Sequence, residues 1–141
     1  MSTTAVHTIL CPDPQYYHES LDQARAFSQA HGSDLFILVF GQRDPTSGKS
    51  WCPDCDQAFP IIMEALERHT NPVCLLELVV ARESYKGNPS HPYRIDPQLQ
   101  LKAIPQLHRI DTGHWKDPLI ELCYANHRSI YSGTASTTNW C

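Results

Sequence analysis

The chain has 141 residues, of which 41% are hydrophobic and 18% are charged, and its formal net charge is −4. This length fits one globular domain, which buries about two thirds of the surface that its unfolded chain exposes. The mild negative charge and the scattered basic residues argue against a phosphate-binding groove and a patch for anionic lipids, so neither nucleic acid nor a membrane is an expected partner.

The first third of the sequence predicts a strand, a helix and a second strand. Residues 6–10 form a short strand that ends at the two prolines of residues 11–14. Residues 15–30 place apolar side chains at helical spacing, and Gly32 directly after them is suited to end the helix. Residues 35–40 are continuously apolar, which predicts a central strand covered on both faces.

The middle third predicts a loop, a long helix and a third strand. Residues 41–50 are polar and contain Pro45, so they form the loop, with Ser50 as the expected N-cap of the helix. This helix extends to about residue 69 and is expected to kink at Pro60 rather than end there, because the apolar pattern resumes afterwards. Residues 73–80 are the third, buried strand.

The last third is less regular. Residues 82–96 are rich in turn-forming residues and lead through Pro97 to residues 99–105, which predicts a loop or short helix. A hairpin of residues 106–110 and 119–124 is expected around a turn at residues 111–114. Residues 126–132 are predicted as a short helix. The domain is therefore expected to span residues 1–132, with residues 133–141 as a flexible C-terminal tail.

Cysteine usage and the N-terminus point to a cytoplasmic protein. Residues 1–10 lack the basic start and apolar stretch of a secretory signal, and no run approaches the roughly 18 apolar residues of a membrane helix. Six cysteines are few for a disulfide scaffold of this size. Outside the motif described next, we expect free thiols in a monomeric protein; these cysteines are Cys11, Cys74, Cys123 and Cys141.

The stretch Trp51-Cys52-Pro53-Asp54-Cys55 places two cysteines with two intervening residues at the start of a predicted helix. The thiolate is the species that attacks a disulfide, and the positive end of a helix stabilises it. Cys52 is therefore the expected nucleophile, with a lowered pKa. Cys55, one turn further on, is close enough to resolve the mixed disulfide.

The same spacing could supply two ligands of a structural zinc ion. The other two ligands are missing at any regular spacing, because Cys74 and Cys123 lie in predicted strands and the histidines form no ligand pair. A redox dithiol without a bound metal is the favoured interpretation.

The order of the elements, with the cysteine motif opening the second helix and a proline before the fourth strand, resembles the thioredoxin fold. The stretch Gly48-Lys49-Ser50-Trp51-Cys52-Pro53-Asp54-Cys55 is similar to the thioredoxin domain-containing protein 17 family, also called the thioredoxin-related cytosolic WCPDC proteins. The likeness covers about residues 6–132. It implies an α/β, thioredoxin-like fold with a central mixed β-sheet flanked by helices.

The resemblance also implies roles and partners. Cys52 and Cys55 would form the redox-active disulfide, and Pro105 would follow a cis bond from Ile104 and shape the substrate groove against the dithiol. Electrons would come from NADPH through thioredoxin reductase, with no bound cofactor. The substrates would be small, cystine-like disulfides or selected protein disulfides.

Supporting roles are expected for the residues around the dithiol. Lys49 can place a positive charge near the Cys52 thiolate, and Trp51 can line the bottom of the site. Pro53 and Asp54 occupy the first turn of the helix. The chain also departs from thioredoxins. Residues 35–40 contain no buried carboxylate, which leaves Asp54 as the local acid or base, and Gln106 stands where relatives often have threonine.

Two alternatives stay open. The chain could be a thioredoxin-like module that binds a client or signals through the groove around Trp51 and Pro105 without catalysis. It could also be a thiol-dependent peroxidase, because an accessible thiolate at Cys52 can be oxidised to a sulfenic acid that Cys55 captures. The loop of residues 41–50 beside the dithiol suggests selectivity among disulfides.

Overall fold

In the computed structural model the described residues are 5–111 and 114–115, and they form a five-stranded sheet with the order β1-β3-β2-β4-β5. The strands are β1 (Val6–Cys11), β2 (Asp34–Gly41), β3 (Val73–Val80), β4 (Gln106–Asp111) and β5 (His114–Trp115). A short 3-10 turn (Pro14–Tyr16) precedes the first of the helices, which are α1 (Tyr17–His31), α2 (Pro53–Glu67), α3 (Arg82–Tyr85) and α4 (Pro92–Ile95).

The sheet is mixed, as the resemblance implies. β3 pairs in parallel with β1 on one side and with β2 on the other, whereas β4 runs antiparallel to β2, and β5 runs antiparallel to β4. Every residue of β2 after Asp34 is buried, which confirms the predicted central strand. Gly32 ends α1 in the left-handed conformation, at φ 63°, as its position predicts.

The two long helices cover opposite faces of the sheet. Neighbouring residues of a strand point to opposite faces. Cys74 on β3 faces α1, with its Sγ 3.8 Å from the carbonyl oxygen of Ala24. Phe40 on β2 faces α2, where its ring lies 5.5 Å from that of Phe59. Cys74 and Cys11 are both buried free thiols, as predicted, while Cys123 and Cys141 lie outside the described residues.

The start of α2 differs from the prediction. The helix begins at Pro53, and Cys52 rather than Ser50 is its N-cap. Proline suits the first helical position because its φ is fixed near the helical value and its missing N–H would have no partner there. Ser50 instead forms an antiparallel bridge with Arg43, which holds it in extended backbone. As predicted, the helix continues through Pro60.

The predicted terminal hairpin is present, and pairing of its second strand begins earlier than expected. Trp115 pairs with Ile110 and His114 pairs with Asp111, so β5 follows β4 after residues 112–113 alone. A connection of two residues is enough to reverse an antiparallel pair, so pairing resumes before the apolar run that the prediction favoured. The predictions for residues 119–124, 126–132 and 133–141 lie outside the described residues. Among the described helices, none combines the length and the hydropathy needed to cross a bilayer.

A polar cluster closes the end of the sheet at the start of β2. Asp34 Oδ2 contacts His69 Nε2 and accepts hydrogen bonds from Asn71 Nδ2 at 3.3 Å and Arg109 Nη2 at 3.4 Å. Burial alone would raise the pKa of Asp34, but the hydrogen bonds from His69 and Asn71 and the charge of Arg109 outweigh it. The pKa of Asp34 is therefore lower in the folded chain than in the unfolded chain.

We expect the Asp34 cluster to make stability depend on acid pH. A lowered pKa in the folded state stabilises the fold above the ordinary aspartate pKa, and this contribution is lost as the pH falls through the folded value. Asp34→Asn should lower the free energy of unfolding at neutral pH by about 1 kcal/mol and flatten its decline between neutral and acid pH. Urea unfolding across this range measures both effects. Exposed Asp22 on α1 provides the control, Asp22→Asn; equal pH profiles for the two variants would contradict the prediction.

Candidate active site

The cysteine motif lies where the chain passes from extended backbone into α2. Cys52 has φ −104° and ψ 109°, and Pro53 follows as the first helical residue. The carbonyl oxygen of Cys52 accepts hydrogen bonds from the backbone N–H of Cys55 at 3.1 Å and of Asp56 at 3.4 Å. Cys52 is thus at the positive end of the helix dipole, the position that favours a thiolate.

The segment before β4 packs against Cys52. The peptide bond between Ile104 and Pro105 is cis, as the resemblance implies. Cys52 Sγ lies 3.8 Å from the carbonyl oxygen of Ile104, and Ile104 and Pro105 are both buried. The structure therefore brings together the two parts of the site, which are far apart in the sequence. The role of Ile104 and Pro105 in binding substrate stays a prediction.

Cys55 lies beneath the motif, against the end of β2. The backbone N–H of Gly41 donates a hydrogen bond to Cys55 Sγ at 3.4 Å. Burial raises the pKa of Cys55 to about 12; the hydrogen bonds from Gly41 and Ser50 act against burial, whereas the charges of Asp56 and Asp54 add to it. At neutral pH Cys55 is therefore protonated. Cys52 is disulfide-bonded in this structure, so its role as the attacking thiolate of the reduced protein stays a prediction.

Both motif cysteines are fully buried, which the sequence analysis did not predict. A substrate disulfide must reach the sulfur of Cys52. Any reaction there therefore requires the residues packed around Cys52 to move. Cys55 is a free thiol in this structure. The Cys52–Cys55 disulfide expected for the oxidised protein is therefore not formed here and stays a prediction.

Gly41 lets the end of β2 pass close to the motif. A Cβ atom at this position would lie 2.5 Å from Ser50 Oγ and 3.2 Å from Cys52 Cβ. The first separation is shorter than any normal contact, so a side chain would push Ser50 away from the motif. From the sequence Gly41 is recognisable only as the boundary between a strand and a loop, because the close approach is a tertiary contact.

Trp51 is anchored to the end of β3. Its Nε1–H donates a hydrogen bond to the carbonyl oxygen of Val80 at 2.8 Å, and its ring lies 6.0 Å from that of Tyr85. A groove of about 480 Å³ borders Trp51 and includes the exposed residues Lys49 and Arg82. The charged residues that act on Cys55 are Asp56 and Asp54 rather than Lys49, so the supporting role of Lys49 stays a prediction.

An ion pair between the loop before the motif and β3 was not predicted from the sequence. Glu77 is the only charged residue of β3 and is 5% exposed, and its Oε1 lies 3.0 Å from Arg43 Nη1. The Arg43 guanidinium also lies 4.0 Å from the ring centre of Phe40 and 4.6 Å from that of Phe59. The signal was present in the sequence, because one glutamate interrupts an otherwise apolar strand.

Gln106 has a structural role next to Pro105. It is fully buried, and its Nε2 donates a hydrogen bond to the carbonyl oxygen of Leu99 at 3.0 Å. Its Oε1 accepts one from the Lys102 backbone N–H at 3.2 Å, and Nε2 lies 2.8 Å from His108 Nε2. A threonine is too short to make all three contacts, so Gln106 fixes the segment that leads to Ile104 and Pro105. Within residues 5–111 and 114–115, no three histidine, cysteine or acidic side chains are grouped as metal ligands.

Comparison with known proteins finds one matching family model and several relatives of this chain. The model of the thioredoxin domain of "thioredoxin domain-containing protein 17-like" proteins matches residues 15–126. The chain is 33% identical over 99 residues to the thioredoxin-like protein Clot of Arabidopsis thaliana, a match that covers 70% of this chain and 74% of that protein. It is also 33% identical over 88 residues to human thioredoxin domain-containing protein 17, covering 62% of this chain and 69% of the human protein.

A further similarity is confined to part of a longer protein. The chain is 42% identical over 78 residues to a Leishmania infantum protein named acireductone dioxygenase, a match that covers 52% of this chain and 23% of that protein. Less than a quarter of the Leishmania protein is involved.

Proposed function

The chain belongs to the thioredoxin domain-containing protein 17-like family of thioredoxin domains, and on this basis we propose that it is a thiol-disulfide oxidoreductase acting through Cys52 and Cys55. Family membership supports a redox function of the thioredoxin type. The observation that carries the finer proposal is the asymmetry of the dithiol. Cys52 caps α2 beside the cis bond before Pro105, whereas Cys55 is held protonated beneath it.

The first step of the proposed reaction is attack by Cys52. In the reduced protein the Cys52 thiolate attacks one sulfur of a substrate disulfide. The substrate bond breaks, one half leaves as a thiolate that takes up a proton, and the other half stays joined to Cys52 as a mixed disulfide. The positive end of α2 favours the attacking thiolate.

Cys55 completes the reaction. After losing its proton, Cys55 attacks the Cys52 sulfur of the mixed disulfide, and the second half of the substrate leaves with the electron pair. The substrate has then gained two electrons and two protons, and the protein holds a Cys52–Cys55 disulfide. Thioredoxin reductase, using NADPH, is the proposed electron donor that reopens this bond, in a cytoplasmic and monomeric protein without a bound cofactor.

The loop of residues 41–50 supports selectivity for small or selected disulfides. The Arg43–Ser50 bridge and the hydrogen bond from Asp44 N–H to the Lys49 carbonyl oxygen, at 2.8 Å, hold the loop in a hairpin. The loop borders the groove beside Trp51 and leads directly into the motif. Because the bridge and the hydrogen bond fix the conformation of this loop, we expect the loop to limit how closely a large partner can approach Cys52.

The test is NADPH consumption with thioredoxin reductase, this protein and either cystine or insulin as the disulfide. We expect turnover of cystine that clearly exceeds turnover of insulin, because cystine is small enough to pass the loop of residues 41–50. Equal turnover of both would contradict the selectivity and indicate a general thioredoxin activity.

A second candidate function is a thioredoxin-like binding module without catalysis. The complete burial of both motif cysteines favours it, because a buried sulfur does not meet a substrate. The same assay separates the two functions. NADPH consumption that stays at background with both disulfides, although the motif is reduced, would contradict the oxidoreductase and support the binding module.

A further inference from the structure

Ser50 links the two motif cysteines to the end of β2. We propose that Ser50 is a positioning residue for the resolving step, in which its hydroxyl and the Gly41 N–H together stabilise the Cys55 thiolate. This inference rests on the proposed function and adds to it a residue that is outside the Cys52–Cys55 pair.

The contacts of Ser50 place its hydroxyl at the centre of the site. Ser50 Oγ donates a hydrogen bond to the carbonyl oxygen of Gly41 at 2.9 Å and accepts one from the Cys52 backbone N–H at 3.1 Å. Gly41 in turn donates its backbone N–H to Cys55 Sγ at 3.4 Å, and the Ser50 side chain acts to lower the pKa of this thiol. One buried hydroxyl therefore contacts Cys52 directly and is linked through Gly41 to the sulfur of Cys55.

The position of the hydroxyl is fixed from both sides. The Ser50 backbone N–H donates to Asp56 Oδ1 at 3.0 Å, which ties it to the first turn of α2. Its backbone also bridges to Arg43, whose guanidinium is paired with buried Glu77. A donor held in this way needs little rearrangement when charge develops on its neighbour, which is the condition for effective electrostatic stabilisation.

The surroundings of Cys55 make such donors necessary. Asp54 and Asp56 on α2 act against a negative charge on Cys55. Tyr85 on α3 also interacts with Cys55; burial raises the pKa of Tyr85, and the charge of Cys55 adds to this increase. The groups that favour the Cys55 thiolate in the described part of the chain are the Gly41 N–H and the Ser50 side chain.

The proposed step is a rotation of one hydroxyl. While Cys55 is protonated, Ser50 donates to the carbonyl oxygen of Gly41. When Cys55 loses its proton and attacks the Cys52 sulfur, the Ser50 O–H turns toward Cys55 Sγ. The bond between Cys52 and the substrate sulfur breaks, and the leaving sulfur takes the electron pair and the proton that Cys55 has given up. Ser50 accepts no proton, so it differs in kind from a buried carboxylate that acts as a base.

The first test isolates resolution in a single turnover. One equivalent of the aromatic disulfide 5,5′-dithiobis(2-nitrobenzoate) forms a mixed disulfide with Cys52 and releases one thionitrobenzoate; attack by Cys55 releases the second. We expect Ser50→Ala to slow the second release about tenfold relative to the first release, because a hydrogen bond to a charged group is lost in the second step. Cys55→Ser, which cannot resolve, defines the signal of the first step.

The second test does not require the proposed function. In a Cys52→Ala background at alkaline pH, the rate of Cys55 alkylation follows its thiolate fraction, and Ser50→Ala should reduce that rate about tenfold. Ser47→Ala is the control, because Ser47 is an exposed serine of the same loop. Unchanged alkylation of Cys55 in folded Ser50→Ala would overturn the inference. No second release from the unmodified protein would contradict the proposed function instead, and alkylation alone would then decide the role of Ser50.

Discussion

Replacing Cys52 with serine is expected to reduce disulfide turnover to the level measured without the protein. A serine hydroxyl is not ionised at neutral pH and does not attack a disulfide, whereas the cysteine at the start of α2 is favoured as a thiolate. NADPH consumption with thioredoxin reductase and cystine measures the effect. Cys74→Ser is the matched control, because Cys74 is a buried free thiol on β3 and should leave turnover unchanged.

Replacing Cys55 with serine should have a different result. Attack by Cys52 can still occur, but the mixed disulfide cannot be resolved, so it should accumulate and be detected by mass spectrometry as an added half of cystine. Residual turnover in Cys52→Ser, or no adduct in Cys55→Ser, would contradict the assigned order of the two cysteines. If Cys55→Ser forms no adduct, the reaction would begin at a residue other than Cys52.

Removing the charge of Arg43 is expected to cause the largest loss of stability. Arg43→Met leaves the Glu77 carboxylate buried in β3 without its cation, and we expect the free energy of unfolding to fall by about 3 kcal/mol. This loss in the free energy of unfolding is at the lower end of the range for breaking a buried ion pair, because the Arg43 side chain is 31% exposed. Chemical denaturation in urea measures the loss.

Two further variants make this prediction specific. Glu77→Leu combined with Arg43→Met removes both charges, and the double variant should recover most of the stability, because no buried charge is left unpaired. Arg82→Met, at an exposed arginine of α3, should change the free energy of unfolding by less than about 0.5 kcal/mol. Equal stability of Arg43→Met and Arg82→Met would show that the pair contributes nothing.

Most of the fold follows from local patterns in the sequence. The apolar runs that became β2 and β3 are long enough, and bounded clearly enough, to be identified as buried strands. Gly32 and Pro53 fix the end of α1 and the start of α2 because their backbone preferences suit few other positions. The start of the second hairpin strand was harder to place, because the turn-forming residues 111–114 do not show how early pairing with β4 resumes.

Only the part of the candidate site that lies within one short stretch of sequence could be predicted. Cys52 and Cys55 are recognisable from their spacing, whereas the position of Pro105 beside them came from the resemblance to a family. The pairing of Arg43 with Glu77 and the contact of Gly41 with Ser50 join residues from different elements. Their geometry depends on how the sheet and α2 pack, and no short sequence pattern encodes that packing.

The two ends of β2 differ in their surroundings. Asp34, with its cluster of polar partners, opens the strand, and Gly41, in contact with the dithiol, ends it. The strand rises by about 3.3 Å per residue, so roughly 23 Å of sheet separates the two ends. A fluorophore or a surface linker attached near the Asp34 end would therefore report on or immobilise the molecule without touching the chemistry at Cys52.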